Sequence, residues 1–177
     1  GSIASSYFDL DTTGATAAAG WGPNTATGGT GLHTSDFMTA SNFTGWTFGT
    51  TGGGAGWVIV DADSTLNNAG GAAGGTRPML LSEYSTTITN AHQLQLMALD
   101  LNGKYTLGNN IDASTTAGGQ GVWGAGGFVP IGSALDAGTG FPANSNLPFG
   151  TTNEHAFTGT FDGKGLTVSN LFINRPT

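Results

Sequence analysis

Short apolar runs separated by small polar corners constrain the fold of this chain more than any other feature. In the stretch FTGTFDGKGLTVSNLFIN (157–174), Leu166 and Val168 alternate with polar residues, and the alternation resumes after Ser169-Asn170. A period of two indicates β-strand, and the small polar pair indicates a strand that turns a corner, not a tight hairpin. Very short strands with such corners are typical of solenoids built from stacked strands.

The composition agrees with this architecture. Of 177 residues, 32 are glycine, 8% are charged and 10% are aromatic. An ordinary domain has about 25% charged residues and about 7% glycine. The aromatic content gives the chain material for a core and argues against a disordered tail. These values favour one all-β domain in which many short strands are joined by glycine-rich turns.

Charge and cysteine content exclude several classes of function. The net charge is −7, and the four basic residues, Arg77, Lys104, Lys164 and Arg175, are scattered. Because they form no basic patch, neither nucleic acid nor an anionic membrane surface is an expected partner. Cysteine is absent, which excludes disulfide scaffolds and cysteine-based zinc sites. No apolar stretch reaches the roughly 18 residues of a membrane span, so no membrane insertion is expected.

Three regions are expected along the chain. Gly1-Ser2 is interpreted as a cloning scar, residues 3–87 as an irregular glycine-rich β region, and residues 88–177 as a short helix followed by stacked strands. The last strands are expected to be open at the C-terminal end. A scar at one end and an open strand pair at the other indicate a piece of a longer chain.

One helix is predicted at about residues 90–100. Leu94, Met97 and Leu101 are spaced by three or four residues, and either residue of the preceding Thr-Asn pair is a good N-cap. We expect this face to cover an end or a flank of the solenoid, where unpaired strand edges would invite association. The strand residues expected to face inward are Leu107, Ile111, Phe128, Ile131, Phe157, Phe161, Leu166, Val168, Leu171 and Ile173.

The second half of the chain resembles a known family. The phrases LNGKYTLGNNIDAS (101–114), GFVPIGS (127–133) and FTGTFDGKGLTVSNLFINRP (157–176) closely resemble phrases that recur in large secreted bacterial exoproteins of the filamentous haemagglutinin-like class. Related phrases in bacterial surface proteins are known as GLUG motifs. Asn110 and Val168 are mild departures from the pattern. Including a looser match upstream, the resemblance covers about two thirds of the chain.

The resemblance implies a right-handed parallel β-helix with one short capping or flanking helix. It implies export by a two-partner secretion or autotransporter route, and a place outside the cell or on a bacterial cell surface. The function implied is that of a non-catalytic segment of an adhesin, acting as stalk, as ligand contact surface, or as both. The implied partners are further rungs of its own full-length chain and a host or environmental surface, with a glycan as one candidate. The ligand itself is not implied, because these phrases describe a scaffold.

Aromatic residues in glycine-rich loops are the candidate ligand contacts. Trp123 lies in GQGVWGAGGF, and Phe141 lies in GTGFPANSN with Asp136 nearby. An exposed ring flanked by polar side chains suits a sugar ring. The alternative is that these rings fold back onto the core, as large aromatic side chains usually do.

Motifs for cofactor or metal binding are poor, so no cofactor and no metal are expected. GQGVWG (119–124) matches a dinucleotide fingerprint, but no helix is predicted after it. DLDTTG (9–14) begins like a calcium loop, yet Gly20 stands where the twelfth position needs a glutamate. An Asx-type turn is the favoured interpretation of that segment.

A polysaccharide lyase or hydrolase is the alternative function. Such enzymes need clustered carboxylates and a basic proton acceptor, for which the chain offers Asp112, Asp136, Glu154 and Asp162 with Lys104 and Lys164. In the sequence FDGKG, Asp162 is better interpreted as a turn residue whose side chain accepts the backbone N–H two residues on. The sequence therefore favours a non-catalytic role.

Overall fold

The structure is a computed structural model that describes residues 5–14, 29–119, 121–132 and 156–175. Its strands are short, from two to four residues: β1 (Ser6–Asp9), β2 (Gly29–Leu32), β3 (Trp57–Val58), β4 (Met79–Leu80), β5 (Thr87–Ile88), β6 (Lys104–Leu107), β7 (Ile111–Asp112), β8 (Thr160–Asp162) and β9 (Val168–Ser169). The α-helices are α1 (Leu10–Thr13) and α2 (Ala91–Leu96). Short 3-10 turns occupy Thr34–Met38, Ala40–Asn42, Ala69–Gly71, Leu81–Glu83, Met97–Leu99, Ser114–Thr116 and Gly124–Gly126.

These strands form four small separate sheets. β1 pairs with β2 and β7 pairs with β9, both in parallel, whereas β3 and β4 are antiparallel. The largest sheet has three parallel strands in the order β5-β6-β8. The predicted right-handed parallel β-helix is therefore wrong, because the described residues contain no continuous or closed sheet. Ladders this short end at a corner before a long sheet can develop.

The chain changes direction between consecutive short strands. β6 and β7 follow each other closely in sequence but belong to different sheets, and the same holds for β8 and β9. After β8, Asp162 Oδ1 accepts the backbone N–H of Lys164 at 2.9 Å, which confirms the predicted turn role of this aspartate. After β9, Asn170 has a φ of 57°, a left-handed conformation that asparagine tolerates better than most residues.

The phrase GFVPIGS contains no strand over its described residues, 127–132. Over residues 127–132 the only pairing is an isolated antiparallel bridge between Gly127 and Ile173. Gly127 has a φ of 69°, which breaks extended backbone, and Pro130 has no N–H to donate to a ladder.

The predicted helix forms over Ala91–Leu96 and continues as the 3-10 turn Met97–Leu99, so Leu101 lies beyond it. The helix lies between two apolar clusters. Asn90 is its N-cap, since its side chain accepts the backbone N–H of Gln93 at 2.9 Å. Leu94 and Met97 belong to a first cluster with buried residues of β5, β6 and β7, whereas Leu96 belongs to a second cluster formed mainly by residues of the first half of the chain. α2 therefore joins the two clusters and does more than cover one flank.

The residues predicted to face inward divide into three groups. Leu107, Ile111 and Phe128 are buried, and four others are half-buried. Phe161 is 41% exposed, Leu171 42% and Ile173 47%, so the prediction is wrong for these three. They lie on β8 or follow β9, which are edge strands of their sheets.

Candidate contact surfaces and polar clusters

Trp123, a candidate ligand contact, lies in the interior. Its side chain is 1% exposed, its Nε1 donates to Oε1 of Gln95 at 2.9 Å, and its ring meets His92 edge-on at 5.3 Å between centroids. A ring with so little exposure presents no face to a ligand. In this structure Trp123 packs in the first apolar cluster, which is the alternative considered for it from the sequence.

Gln95 is the residue that fixes Trp123, and sequence reasoning missed it. Its side chain is fully buried. Its Oε1 accepts from Trp123 Nε1 and from the Val129 N–H at 2.8 Å, and its Nε2 donates to the Val129 carbonyl at 3.0 Å. A buried amide is costly unless its donors and acceptors are satisfied. The one available signal was its position one helical turn after Ala91, on a face that proved to be buried.

The other two candidate contacts, Asp136 and Phe141, lie outside the described residues. Their roles as ligand contacts stay predictions.

The carboxylates weighed for a catalytic role act as corner residues where the structure describes them. Asp112 Oδ1 accepts the backbone N–H of Ser114 and the side-chain N–H of Asn170, each at 3.0 Å. The hydrogen bond from Asn170, followed by those from Ser114, lowers the pKa of Asp112 below its ordinary value. With Asp162 also engaged by the Lys164 amide, both carboxylates hold backbone corners in place.

Asp9 joins the first strand to a distant arginine. Its Oδ1 accepts the N–H groups of Asp11 and Thr12 at 3.0 and 3.3 Å, which confirms the Asx-type turn predicted for DLDTTG. Its carboxylate also accepts from Thr34 Oγ1 at 2.9 Å and from Arg77 Nη2 at 3.0 Å. Burial raises the pKa of Asp9, but the bonds from Thr34, Thr12 and Asp11 and the charge of Arg77 together lower it.

Asp61 is the second buried carboxylate, and all the donors to it are uncharged. It is fully buried and accepts from Thr65 Oγ1 at 3.1 Å, the Asn68 N–H at 2.7 Å and Asn68 Nδ2 at 3.2 Å. Asn68 in turn accepts the Ala40 N–H at 2.7 Å and donates to the Met38 carbonyl at 3.0 Å. Burial, only partly offset by these bonds, raises the pKa of Asp61 to about 6.

These acidic clusters do not assemble into a metal site. Within the described residues, no group of three or more His, Cys, Asp or Glu side chains is arranged to hold a metal ion. In the same part of the chain, the helices are all too short or too polar to cross a bilayer.

A group of aromatic rings packs beside β1. Phe43 and Trp57 both stack on Trp46, with centroid distances of 4.9 and 4.0 Å and interplanar angles of 26° and 15°. Tyr7 meets Trp46 edge-on at 5.5 Å, and Trp46 Nε1 donates to the Ser5 carbonyl at 2.7 Å. The stacked rings and the hydrogen bond of its indole N–H fix the half-buried Trp46 in place.

Four of the five exposed large apolar side chains lie near one another in sequence. Among the described residues, the large hydrophobic side chains classed as exposed are Leu80 at 37%, Phe161 at 41%, Leu171 at 42%, Phe172 at 36% and Ile173 at 47%. All but Leu80 fall within β8 or just after β9.

Comparison with known proteins gives one partial similarity. The chain is 41% identical over 73 residues to halomucin of Haloquadratum walsbyi, an alignment that covers 41% of this chain and 1% of halomucin. No protein-family model matches the chain, and no solved structure matches it. A similarity of this extent does not assign the chain to a family. The resemblance to filamentous haemagglutinin-like exoproteins stays a prediction.

Proposed function

We propose that this chain is a non-catalytic segment of a secreted or surface-displayed adhesin, serving as a stalk, as a contact surface, or as both. The observation that supports this most is that the buried polar groups, and those at the corners, form hydrogen bonds within the chain. Asp9, Asp61, Asp112 and Gln95 all bind groups of the chain itself. A carboxylate that holds two chain segments together is poorly placed to exchange a proton with a substrate, so the arrangement favours a scaffold.

The composition and the similarity to halomucin support a place outside the cell. Only 8% of the residues are charged and none is cysteine, so surface contacts would rely on neutral polar and apolar groups. Halomucin carries the name of a mucin. The shared segment is the reason for proposing a surface or extracellular location for this chain.

We propose a neutral glycan on a host or environmental surface as the ligand, with Phe141 and Asp136 as its contacts. Trp123 is left out of this site because its ring is 1% exposed. A glycan array followed by product analysis of every bound sugar tests the proposal. We expect binding without turnover, reduced in Phe141→Ala and in Asp136→Asn.

Leu80→Ala is the matched control for the array, since Leu80 is an exposed apolar residue far from that loop in sequence. It should bind as the parent does. An array without binding would contradict the glycan contact and restrict the function to a spacer. Cleavage of a bound glycan, lost in Asp136→Asn or Asp162→Asn, would overturn the non-catalytic assignment.

A further inference from the structure

The segment Asn42-Phe43-Thr44 carries a chemical pattern that a scaffold role does not use. An asparagine followed two residues later by serine or threonine, with no proline between them, is the acceptor pattern for N-linked glycans. The pattern occurs once in the 177 residues. Because the chain is rich in threonine and asparagine, only the place of the triplet in the fold distinguishes an acceptor from a chance match.

The triplet is anchored by its middle residue. The Phe43 side chain is 3% exposed, and its ring stacks on Trp46 and meets Phe37 edge-on. Both neighbours in the triplet are more accessible, since Thr44 is exposed and Asn42 is half-buried. The two side chains that the acceptor pattern requires are therefore the ones that solvent reaches.

A turn follows the asparagine directly. Asn42 is the last residue of a short 3-10 turn, and the Trp46 N–H then donates to the Phe43 carbonyl at 3.1 Å. Thr44 and Gly45, both exposed, are thus the central residues of a β-turn. Connecting turns run over the surface of a protein, which is where a bulky glycan can be accommodated.

The side-chain amide of Asn42 has one N–H that the fold does not use. An amide nitrogen of asparagine carries two hydrogens. One of them donates to the Asp36 carbonyl at 3.0 Å, and the other makes no hydrogen bond within the described part of the chain. Glycosylation replaces one hydrogen and leaves one, so the number of donors allows the bond to Asp36 to persist in the glycosylated chain.

We propose that Asn42 is an N-glycosylation site, and that the donor is an oligosaccharide carried through a phosphate on a membrane lipid. In the transfer, Asn42 Nδ2 forms a bond to C1 of the first sugar and loses one proton. The bond between C1 and the phosphate oxygen breaks, and the phosphate leaves with the bonding electrons. Nothing is oxidised or reduced. Since glycans of this kind are added to exported chains, the inference rests on the proposed place outside the cell.

A glycan at this position would add neutral polar surface to a chain that has little charge. Only 8% of the residues are charged, and the exposed residues Ser41 and Thr47 on either side of the triplet are uncharged. An attached glycan is bulky and solubilising. It would therefore supply hydration that charged side chains supply in ordinary domains.

The test is mass spectrometry of the whole chain purified from the cells that produce and export it. We expect a peptide that contains Asn42 to carry an additional mass that breaks into sugar units, and electron-transfer fragmentation to place this mass on Asn42. The sugar should be lost completely in Asn42→Gln and in Thr44→Ala. It should be kept at least in part in Thr44→Ser, which retains the hydroxyl group.

Thr44→Ala keeps the acceptor amide and its bond to Asp36. It also keeps the hydrogen bond from the Tyr7 hydroxyl, which goes to the backbone carbonyl of Thr44. This variant therefore separates loss of the acceptor pattern from loss of structure, and circular dichroism of each variant shows whether it is folded. Asn102→Gln is the matched control, because Asn102 is an exposed asparagine outside the acceptor pattern, and it should leave the sugar in place.

Two results would overturn the proposal: a chain recovered from the cell surface with Asn42 unmodified, or a sugar that stays on Asn42 in Thr44→Ala. Protease treatment of intact cells shows independently whether the chain is outside, and a chain found only inside would contradict the proposed location and this inference together. Asn42→Gln should bind the glycan array as the parent does. Failure of glycosylation and failure of the proposed glycan contact are therefore distinguishable.

Discussion

Asp9 and Asp61 are both buried carboxylates that join distant segments, and they differ in whether a cation is present. Asp9 is 7% exposed and lies 3.0 Å from the guanidinium of Arg77. Asp61 is fully buried and receives hydrogen bonds from uncharged groups of Thr65 and Asn68. The pKa of Asp9 is lowered in spite of burial, whereas burial raises that of Asp61 to about 6. The hydrogen bonds from Thr34, Thr12 and Asp11, with a smaller contribution from the charge of Arg77, thus change the sign of the shift at Asp9.

The two carboxylates therefore contribute to stability in opposite pH ranges. The pKa of Asp61 is about 6 in the folded chain against about 3.9 in an unfolded one. Its contribution is fully present below about pH 4 and is lost as pH rises through about 6. Asp9 has a lowered folded pKa. Its contribution is present above the unfolded value of about 3.9 and is lost as pH falls through the folded pKa.

Replacing Arg77 by methionine is expected to have the largest effect, because it removes the cation that pairs with the buried carboxylate of Asp9. The flexible methionine side chain retains apolar contact with Phe37, over which the guanidinium lies at 5.3 Å, but leaves a buried carboxylate without its cation. We expect a loss of about 3 kcal/mol in the free energy of unfolding at pH 7. The loss should shrink near pH 4.5, where Asp9 could take up a proton.

Urea denaturation at both pH values measures this effect. Lys164→Met is the control, because Lys164 is an exposed cation on the Asp162 corner and should change the free energy of unfolding little. A loss of equal size at the two pH values would mean that packing of the Arg77 side chain, and not its charge, stabilises Asp9.

Replacing Asp61 by asparagine tests the buried carboxylate whose pKa is raised. A folded pKa of about 6 corresponds to a linkage of about 3 kcal/mol between pH 4 and pH 7, at about 1.4 kcal/mol for each pH unit between the two pKa values. Since asparagine does not ionise, the variant should gain up to this amount relative to the parent as pH rises. Because both proteins are measured at each pH, the contributions of the other carboxylates to the pH dependence cancel in the difference. A difference that stays constant from pH 4 to pH 7 would contradict the raised pKa.

Replacing Asn68 by glycine tests the neutral donors that substitute for a cation at Asp61. Asn68 has a φ of 61°, which glycine adopts without strain, so the variant removes the side-chain bonds without adding backbone cost. We expect a loss of about 2 kcal/mol, because the Ala40 N–H and one carboxylate oxygen of Asp61 lose partners. Lys164→Gly, at a φ of 48° on an exposed corner, is the control and should not be destabilised. Thermal and urea melts that show no loss in Asn68→Gly would mean that water replaces these bonds.

Local features of this fold were predictable, and contacts between distant residues were not. The N-cap at Asn90 and the turn at Asp162 depend on groups within three residues of each other, so their signals lie in short stretches of sequence. The Asp9–Arg77 pair joins residues 68 positions apart, and Gln95 reaches Val129 over 34 positions. No local pattern marks either pair, because any of several polar residues at similar positions could have met.

The prediction of a β-helix was wrong for a related reason, since it depended on how distant strands pair. Alternation showed that residues around Phe161 are extended, and Phe161 does pair with Tyr105. Alternation does not determine how many residues stay paired or whether another element covers the outer side. That is why the sequence did not predict four small sheets. It is also why Phe161, which is 41% exposed, was expected to be buried.

The smallest expected effect concerns Asp11 and His33. They form an ion pair exposed to solvent, unlike the buried pair of Asp9 and Arg77. His33 Nδ1 lies 2.9 Å from Asp11 Oδ1, and the two side chains are 66% and 50% exposed. The hydrogen bond and the charge of Asp11 raise the pKa of His33 above its ordinary value. Any stability from this pair is therefore fully present below about pH 6.5 and is lost as pH rises through the folded pKa.

Asp11→Asn should return the His33 pKa towards its ordinary value, as followed by NMR titration of the ring protons. Salt at 1 M should produce part of the same decrease in the parent, because screening then acts over about 3 Å. Asp63→Asn, which removes a carboxylate on the separate Asp61 loop, should leave the His33 titration unchanged.

If salt changed the pKa of Asp61 as much as that of His33, water would reach the Asp61 carboxylate. The contrast between buried and exposed aspartates would then fail. A His33 titration that responds to salt while that of Asp61 does not would instead confirm that burial, and not sequence neighbourhood, separates the two sites.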